Sequence, residues 1–331
     1  MKRYVYVLLI VVLIVCSAMT IFFFQLYANV KATASMIYEP LPPVEAQETT
    51  TLSSQAQEQD PPPAQRPVPE AHSAIEKKPL TLLLFGVDKR EGDVGRSDTL
   101  ILLTINPEKK QTLMMSIPRD TRTQIVGRKQ PDKINHAYHA GGIAATVRTV
   151  EQFLDIPIDY YVKVEMEGFS NIIDSLGGVT VDNTFAFDYE GYQFPKGSSH
   201  MDGEKALAYV RMRYDDPEGD FGRNKRQQQV IRDLMDKAKG ISTVSKLDDL
   251  LAVVGSSFKT NLTFENMKEL MLDYKSSLEQ IETTRVSGEG GKINGIYYYL
   301  VSNQERLRIK KQVEEFKKPV TSDVVVASEK P

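Results

Sequence analysis

Cysteine is almost absent from this chain: one residue, Cys16, in 331. It sits inside an apolar run, where a small apolar side chain is its ordinary role. An exported domain without cysteine has no disulfides, so its stability must come from packing. Net charge is nearly absent as well. Forty-one basic and 44 acidic residues leave −3, which argues against holding polyanions by bulk electrostatics, and any anion site must be a local cluster. No G-x-S-x-G, Walker A or zinc-ligand pattern occurs, so the commonest serine-hydrolase, P-loop and zinc chemistries have no sequence support. There is no internal repeat. His136 and His139 form an H-x-x-H with no third ligand nearby, which favours a structural role.

What is present begins with an apolar run from Tyr4 to Ala28, broken only by Ser17, Thr20, Gln25 and an interfacial Tyr27. It suffices to cross a hydrocarbon core of about 30 Å. Lys2, Arg3 and the amino terminus precede it and only Lys31 follows closely, so the positive-inside bias puts residues 1–3 in the cytoplasm. The expected topology is a single-pass type II protein of the cell membrane, with residues 4–28 as anchor and the rest outside. A cleaved signal peptide is the rival, because Ala32-Thr33-Ala34 has the right spacing. Such segments carry apolar stretches of roughly 7–15 residues, shorter than this one.

Residues 29–78 read as a linker. Nine of the seventeen prolines fall between Glu39 and Pro79 among Gln, Glu, Ser and Thr, a composition that cannot offset chain entropy by burial. Pro61-Pro62-Pro63 favours extended backbone, which would hold the folded part some tens of Å from the bilayer at about 3 Å per residue. Beyond Pro79 short apolar runs at Leu80–Val87, Thr99–Ile105 and Thr112–Ile117 predict buried strands. Helices are expected over Gly141–Leu154, Met166–Leu176, Gly203–Val210, Asn224–Lys239, Lys246–Val254, Phe264–Tyr274 and Gln304–Phe316. Tyr160–Val164, Val179–Val181 and Asn294–Val301 read as strands, and Phe185–Phe194 as a hairpin or loop. Strands alternating with helices imply an α/β sandwich, one domain over residues 79–318 with a polar tail at 319–331.

Charged residues cluster beside the first three strands. Asp88 ends FGVD, Arg96 and Asp98 fall in GRSD, and Arg119 and Asp120 end SIPRD. Strand ends of this kind line the ligand crevice of open α/β sheets. Asp88 and Asp98 are suited to a hard divalent cation, which favours carboxylate oxygens; salt bridges to Arg96 and Arg119 at a sheet edge are the plainer alternative. A second cluster carries Arg211 and Arg213, then Asp220, Arg223 and Gln227. Arg211 and Arg213 share a side only if that stretch is extended. Arg223 and Gln227, four apart at a helix start, share a face, and Asp220 can orient an arginine. Converging guanidinium groups repel unless something negative lies between them, and a pyrophosphate matches their forked donors. The alternative is a solvated basic helix face including Lys225, Arg226 and Arg232. Sequence composition leaves both readings open.

The ordered motifs FGVD, GRSD, SIPRDT, DKINHAY, DGEKALAYVRMR, GDFGRNKRQQQ and KINGIYYY, from about Leu80 to Leu300, resemble the LytR-CpsA-Psr family, and most closely its teichoic acid transferases of Gram-positive rods. The resemblance implies an α-β-α sandwich with a central mixed sheet, not a doubly wound parallel one, and an apolar groove for a polyprenyl tail. It implies magnesium or manganese on Asp88 and Asp98. It places pyrophosphate contacts at Arg96, Arg119, Arg211, Arg213 and Arg223, with Asp220 and Gln227 in the same cluster and Asp120 as a neighbour that is either a base or a partner of Arg119. The implied partners are an undecaprenyl-pyrophosphate-linked glycopolymer, peptidoglycan and the cell membrane, with no nucleic acid. The implied reaction is attack by a peptidoglycan hydroxyl, the muramic acid 6-OH, on the phosphorus carrying the polymer, which releases undecaprenyl phosphate. Two rivals remain: water as acceptor gives a lipid pyrophosphate hydrolase, and binding without turnover gives a membrane-bound regulator.

Overall fold

A computed structural model describes residues 2–42, 77–89, 92–239, 255 and 257–319. The helices are α1 Lys2–Ile37, α2 His136–Leu154, α3 Met166–Ser175, α4 Gly203–Arg211, α5 Asp220–Lys239, α6 Phe264–Asp273 and α7 Asn303–Lys317. The strands run β1 Leu80–Asp88, β2 Arg96–Asn106, β3 Gln111–Ser116, β4 Arg122–Thr123, β5 Asp132–Lys133, β6 Tyr160–Glu165, β7 Val179–Asn183, β8 Phe187–Tyr189, β9 Tyr192–Phe194, β10 Gly197–Met201, β11 Phe258–Thr260, β12 Gln280–Arg285, β13 Glu289–Ile293 and β14 Ile296–Leu300. The expected helix at Lys246–Val254 lies outside the described residues.

Six strands make the central sheet, in the order β11-β6-β1-β2-β3-β12. β1 pairs antiparallel with β2 and parallel with β6, while β3 pairs antiparallel with β2 and parallel with β12, so the sheet is mixed. Strand side chains alternate between faces. Leu83, Phe85, Leu100 and Leu102 therefore point to one side, against Val147 and Val150 of α2 and Ile309 and Val313 of α7. Leu82, Ile101, Leu103 and Met114 point to the other, against Ile231 of α5 and Tyr274 just beyond α6. Both faces are covered, which gives the α-β-α sandwich. A third cluster lies beside it: Phe187 and Phe194 of the β8–β9 hairpin stack with Tyr209 of α4, at centroid separations of 4.6 and 5.8 Å from Phe187.

The strands with internal apolar runs were legible; β12 was not. Its sequence, QIETTR, forms an edge strand on which no side chain is fully buried, so no alternation marks it. α2 starts earlier than expected and is broken at Gly141-Gly142, where Gly142 takes a φ of 64° that residues with a Cβ rarely adopt.

The first residues of the expected linker are structured. Helix α1 continues to Ile37, with Thr33, Ala34 and Ile37 buried. Tyr38 then bridges to Thr260 of β11, and the Glu39 amide donates to the Thr260 carbonyl at 2.8 Å. Leu41 packs against the α2 face of the core. Proline content alone hides this because Tyr38 and Leu41 find partners on the domain. Residues 38–42, expected to be linker, therefore lie against the domain. The expected anchor at 4–28 falls within α1, where most side chains lie outside the description; among the described residues no helix is long and apolar enough to cross a membrane.

The fully buried Tyr161 ring sends its hydroxyl to the Glu39 carbonyl, and burial pushes that phenol well above its ordinary pKa, so it stays a donor. Tyr161→Phe leaves the carbonyl without its partner, and the expected loss is about 1 kcal/mol. Thermal denaturation of the full-length protein in detergent should read this as a Tm lower by roughly 2–4 °C. An unchanged Tm would mean that residues 38–42 are not bound to the domain.

Candidate active site

Strand register brings the charged motifs together. β1 ends at Asp88 opposite Arg96, the first residue of β2, and β3 ends at Ser116, three residues before Arg119. All three therefore meet at one edge of the sheet. Between Gly86 and Val87 the β1–β2 register slips: Gly86 faces Thr99 and Val87 faces Ser97, so Asp98 is left without a partner. Such a bulge re-aims a side chain that regular alternation would have sent into the core with Leu100 and Leu102. Freed in this way, Asp98 accepts from Arg119 NH1 and from Asn135 Nδ2, both at 2.8 Å.

Two other elements complete the cluster. Arg211, the last residue of α4, donates to Asp88 Oδ1 at 3.1 Å. Arg223, in the first turn of α5, lies 2.7 Å from Asp220 Oδ1 and donates to the Asp98 carbonyl at 3.3 Å. Arg119 Nε lies 3.6 Å from Asp220 and 3.8 Å from Asp120, and Lys133 Nζ sits 2.7 Å from the other Asp120 oxygen. Arg119, Arg223, Asp98, Asp120 and Asp220 thus form one network, and the Arg211–Asp88 pair stands beside it at the end of the neighbouring strand β1.

Among the described residues, the others expected at the site make no side-chain hydrogen bond or ion pair with this network. Arg213 follows the α4 cap in extended backbone, diverges from Arg211, and stacks its guanidinium 4.4 Å from the Tyr214 ring. Arg96 is exposed at the rim and makes no ion pair with a described residue. Gln227 is buried one turn along α5 from Arg223. Lys133 and Asn135 belong to the network without having been singled out; the DKINHAY motif holds both, but no spacing rule says that they reach Asp120 and Asp98. His136 and His139 do not act together: His136 pairs with Asp132 at 2.8 Å, and His139 lies 3.8 Å from Asp93.

The arginines are not a solvated helix face. Arg223 and Arg226 are each 4% exposed. Arg226 is structural, donating to the Tyr209 and Met212 carbonyls and to the buried Asp216. That grip ties the end of α4 to α5, which fixes Arg211 relative to Arg223. Gly222 makes room for it, since a Cβ there would fall 1.9 Å from Asp216 Oδ2.

Burial dominates the electrostatics. It pushes the Asp220 carboxyl above the ordinary carboxylate value despite Arg223 and Arg119, and pulls the Arg223 guanidinium down. Nε of Arg119, Arg211 and Arg223 are buried without a hydrogen-bond acceptor, and the Asp220 oxygens, although close to Arg223, lack aligned donors. Unmet buried donors are costly in an empty site and become useful once an anion fills it. Asp88 and Asp98, on neighbouring strands, offer only oxygens, the donor type a hard cation takes, and Asp88 Oδ2 accepts no hydrogen bond from a described residue. Among the described residues no group of three or more His, Cys, Asp or Glu gathers as a metal cluster, so a cation held here would complete its shell with water and phosphate oxygens.

The LytR_cpsA_psr family description matches residues 44–315. The chain belongs to that family. It is 51% identical over 243 residues, 73% of this chain and 79% of the relative, to the polyisoprenyl-teichoic acid–peptidoglycan teichoic acid transferase TagU of Bacillus subtilis strain 168. The crystal structure of B. subtilis TagU superimposes with a TM-score of 0.61 at 45% identity, covering 74% of this chain and 99% of that one. A solved structure of TagT bound to LIIa-WTA gives 0.62 at 32% identity, covering 73% and 91%. The LytR_cpsA_psr domain with its mixed central sheet is therefore common to this chain and to family members of known structure.

Removing the clamp should be a folding defect. Arg226→Ala strands the buried Asp216 carboxylate, and a loss of about 3–5 kcal/mol is expected; Gly222→Ala should act through the same pair. Denaturant midpoints of the full-length protein in detergent check this, and a wild-type midpoint in both variants would remove the clamp from the account.

Proposed function

We propose that this chain is a membrane-anchored transferase that moves an anionic glycopolymer from its undecaprenyl-pyrophosphate carrier to a hydroxyl of peptidoglycan, releasing undecaprenyl phosphate. The observation that carries the reading is the set of three buried arginine Nε donors, on Arg119, Arg211 and Arg223, around one sheet edge with no acceptor. A diphosphate supplies oxygens of the right charge and geometry for forked donors. The names of the relatives, together with TagT bound to LIIa-WTA, favour wall teichoic acid as the polymer. The apolar segment at residues 4–28 supports a single-pass type II anchor with the domain outside the cell. The polyprenyl tail is placed along the half-buried Leu84, Val162 and Met267, on the sheet face that carries α5 and α6.

In the reaction the acceptor hydroxyl oxygen forms a bond to the phosphorus that bears the polymer. The bond from that phosphorus to the bridging oxygen breaks, and the bridging oxygen leaves on undecaprenyl phosphate. The hydroxyl proton passes to a carboxylate, for which Asp120 and Asp220 stand on either side of the Arg119 guanidinium. Phosphoryl transfer of this kind relies on positioning and on neutralising charge. Arg119, Arg211 and Arg223 take up charge that grows on the departing phosphate. Magnesium, or manganese, held by Asp88 and Asp98 would add Lewis-acid neutralisation of the phosphate oxygens.

The deciding assay uses the full-length protein in detergent with a polyprenyl pyrophosphate glycolipid, peptidoglycan oligomers and magnesium. Labelled polymer joined to glycan is the expected product; free sugar phosphate alone would make the protein a hydrolase, and binding without turnover a regulator. Arg119→Ala and Arg211→Ala should each lower turnover by about one hundredfold or more, the scale of losing one charge-stabilising donor. Wild-type rates in both folded variants would dismiss the site.

The pH profile tests Asp220 separately. Its raised pKa means that it gains its negative charge only above the ordinary carboxylate range. Wild-type turnover should therefore rise with pH through that elevated value. Asp220→Asn cannot ionise and should be slower, with that rise missing. The same acidic limb in both proteins would show that Asp220 does not set it.

A further inference from the structure

A second concavity opens beside the arginines. It is a cleft of about 390 Å³ between α5 and the β3–β12 edge of the sheet. Its α5 wall carries Phe221, Asn224 and Gln228, spaced to lie on one helical face. Across from it stand Ser116 of β3 and Thr283 and Arg285 of β12. Arg285 is in register with Ser116, and the lining residues Pro118 and Phe221 adjoin Arg119 and Asp220 in sequence, so the cleft lies beside the charged network. Phe221 adjoins Asp220 in sequence and packs edge-on to Tyr299, at 5.5 Å between centroids.

The chemistry of this lining differs from that of the arginine cluster. Hydroxyls and side-chain amides converge on it, and one aromatic ring forms a wall. Gln228 is fixed by donating to Ser116 Oγ at 2.8 Å. Arg285 is exposed; its guanidinium lies 5.6 Å from the centre of the Phe221 ring and makes no ion pair with a described residue. A concavity with a few convergent polar groups is the usual form of a small-ligand site. Donors and acceptors mixed around an aromatic wall suit a sugar ring bearing hydroxyls and amides, and an unpaired guanidinium at the mouth suits a carboxylate on it.

Position then separates acceptor from donor. In the sheet order, β1 and β6 carry Leu84 and Val162, the apolar stripe proposed above for the lipid, whereas β3 and β12 carry the cleft. Asp98 on β2 lies between them, with Asp88 at the end of β1 and Arg119 just beyond β3 on its two sides. In-line displacement needs the attacking oxygen opposite the leaving one. With the lipid phosphate departing toward β1 and β6, attack comes from the side of β3 and β12. We propose that the α5–β12 cleft is the acceptor subsite, holding an acidic amino-sugar ring of the peptidoglycan glycan, with Arg285 pairing its carboxylate. This rests on the transfer reading given above.

The test uses full-length Arg285→Gln and Thr283→Val in detergent, both altered at exposed positions of an edge strand. Three quantities are measured: KM for peptidoglycan oligomers at saturating donor, affinity for the polyprenyl pyrophosphate glycolipid, and direct binding of the oligomers without donor. Arg285→Gln should raise the acceptor KM and weaken oligomer binding about tenfold, and Thr283→Val severalfold. Donor affinity and kcat should stay at wild-type values. Weakened donor affinity with an unchanged acceptor KM would place a donor sugar in the cleft and overturn the proposal, as would no change in either. If the wild-type protein transferred nothing, the reaction reading would fail while oligomer binding, lost or kept in Arg285→Gln, would still decide the cleft.

Discussion

The constraint on which this structure turns is that three guanidinium groups are brought to one end of the sheet, two of them, on Arg119 and Arg223, largely buried. Left alone they would repel one another and disperse. Here each is interleaved with a carboxylate: Arg119 with Asp98, Arg211 with Asp88, and Arg223 with Asp220. Lys133 and Asp120 add a fourth pair. Four cations against four carboxylates leave the network near neutrality, which allows it to survive burial without a ligand. The same balance means that an incoming diphosphate brings charge the network does not cancel. This is the physical reason to propose a divalent cation as well as the arginines, and it locates the cation where the carboxylates are.

The fold's contribution is to make that arrangement rigid. Asp88 and Asp98 arrive on hydrogen-bonded strands and Arg119 three residues beyond the end of β3, so their spacing is set largely by the sheet. Arg211 and Arg223 arrive on helices outside the sheet, and something must tie those helices together. The buried Arg226 does so, gripping the end of α4 and Asp216 in the turn that leads into α5. The GDFGRNKR stretch therefore contains two arginines with different duties three residues apart. Arg223 faces the network, and Arg226 holds the frame that aims it.

That division of labour marks the limit of what the sequence discloses. The sheet was legible because its central strands are uninterrupted apolar runs, and the charged strand ends were legible because Asp88 follows one such run, Asp98 precedes another and Arg119 comes just after a third. Which arginine does what was not, because residue type is the same for a ligand-facing and a frame-holding guanidinium, and only burial and partners separate them. Arg213 illustrates the same limit: its reach depends on one change of backbone direction after Met212, where ψ becomes 137°. Asp98 depended on a bulge, which leaves no compositional trace. Lys133 and Asn135 come from the far side of a turn, and edge strands such as β12 lack the alternation that would reveal them. Long-range juxtaposition, not local propensity, is what one sequence withholds.

The entry of α1 into the domain bears on where the reaction takes place. β11 is an edge strand, and an exposed edge invites pairing with other chains. Tyr38 and Glu39 cover it by bonding to Thr260, and Lys259 donates to the carbonyl of Met36. Tyr27, ten residues before the end of α1 at Ile37, meets Phe264 of α6 edge-on at 5.3 Å. The helix is thus fastened to the domain at two levels about 15 Å apart by its rise per residue. A catalytic domain hung on a flexible tether would sample many heights and orientations above a bilayer. One fastened in this way keeps a fixed orientation relative to α1, and β6, the strand next to the fastening, is the one that carries Val162 of the proposed lipid path. The proposed anchor and the proposed lipid path then lie on the same flank of the sheet, with the proposed acceptor cleft on the opposite flank, so that in the proposed reaction donor and acceptor approach the arginines from opposite sides.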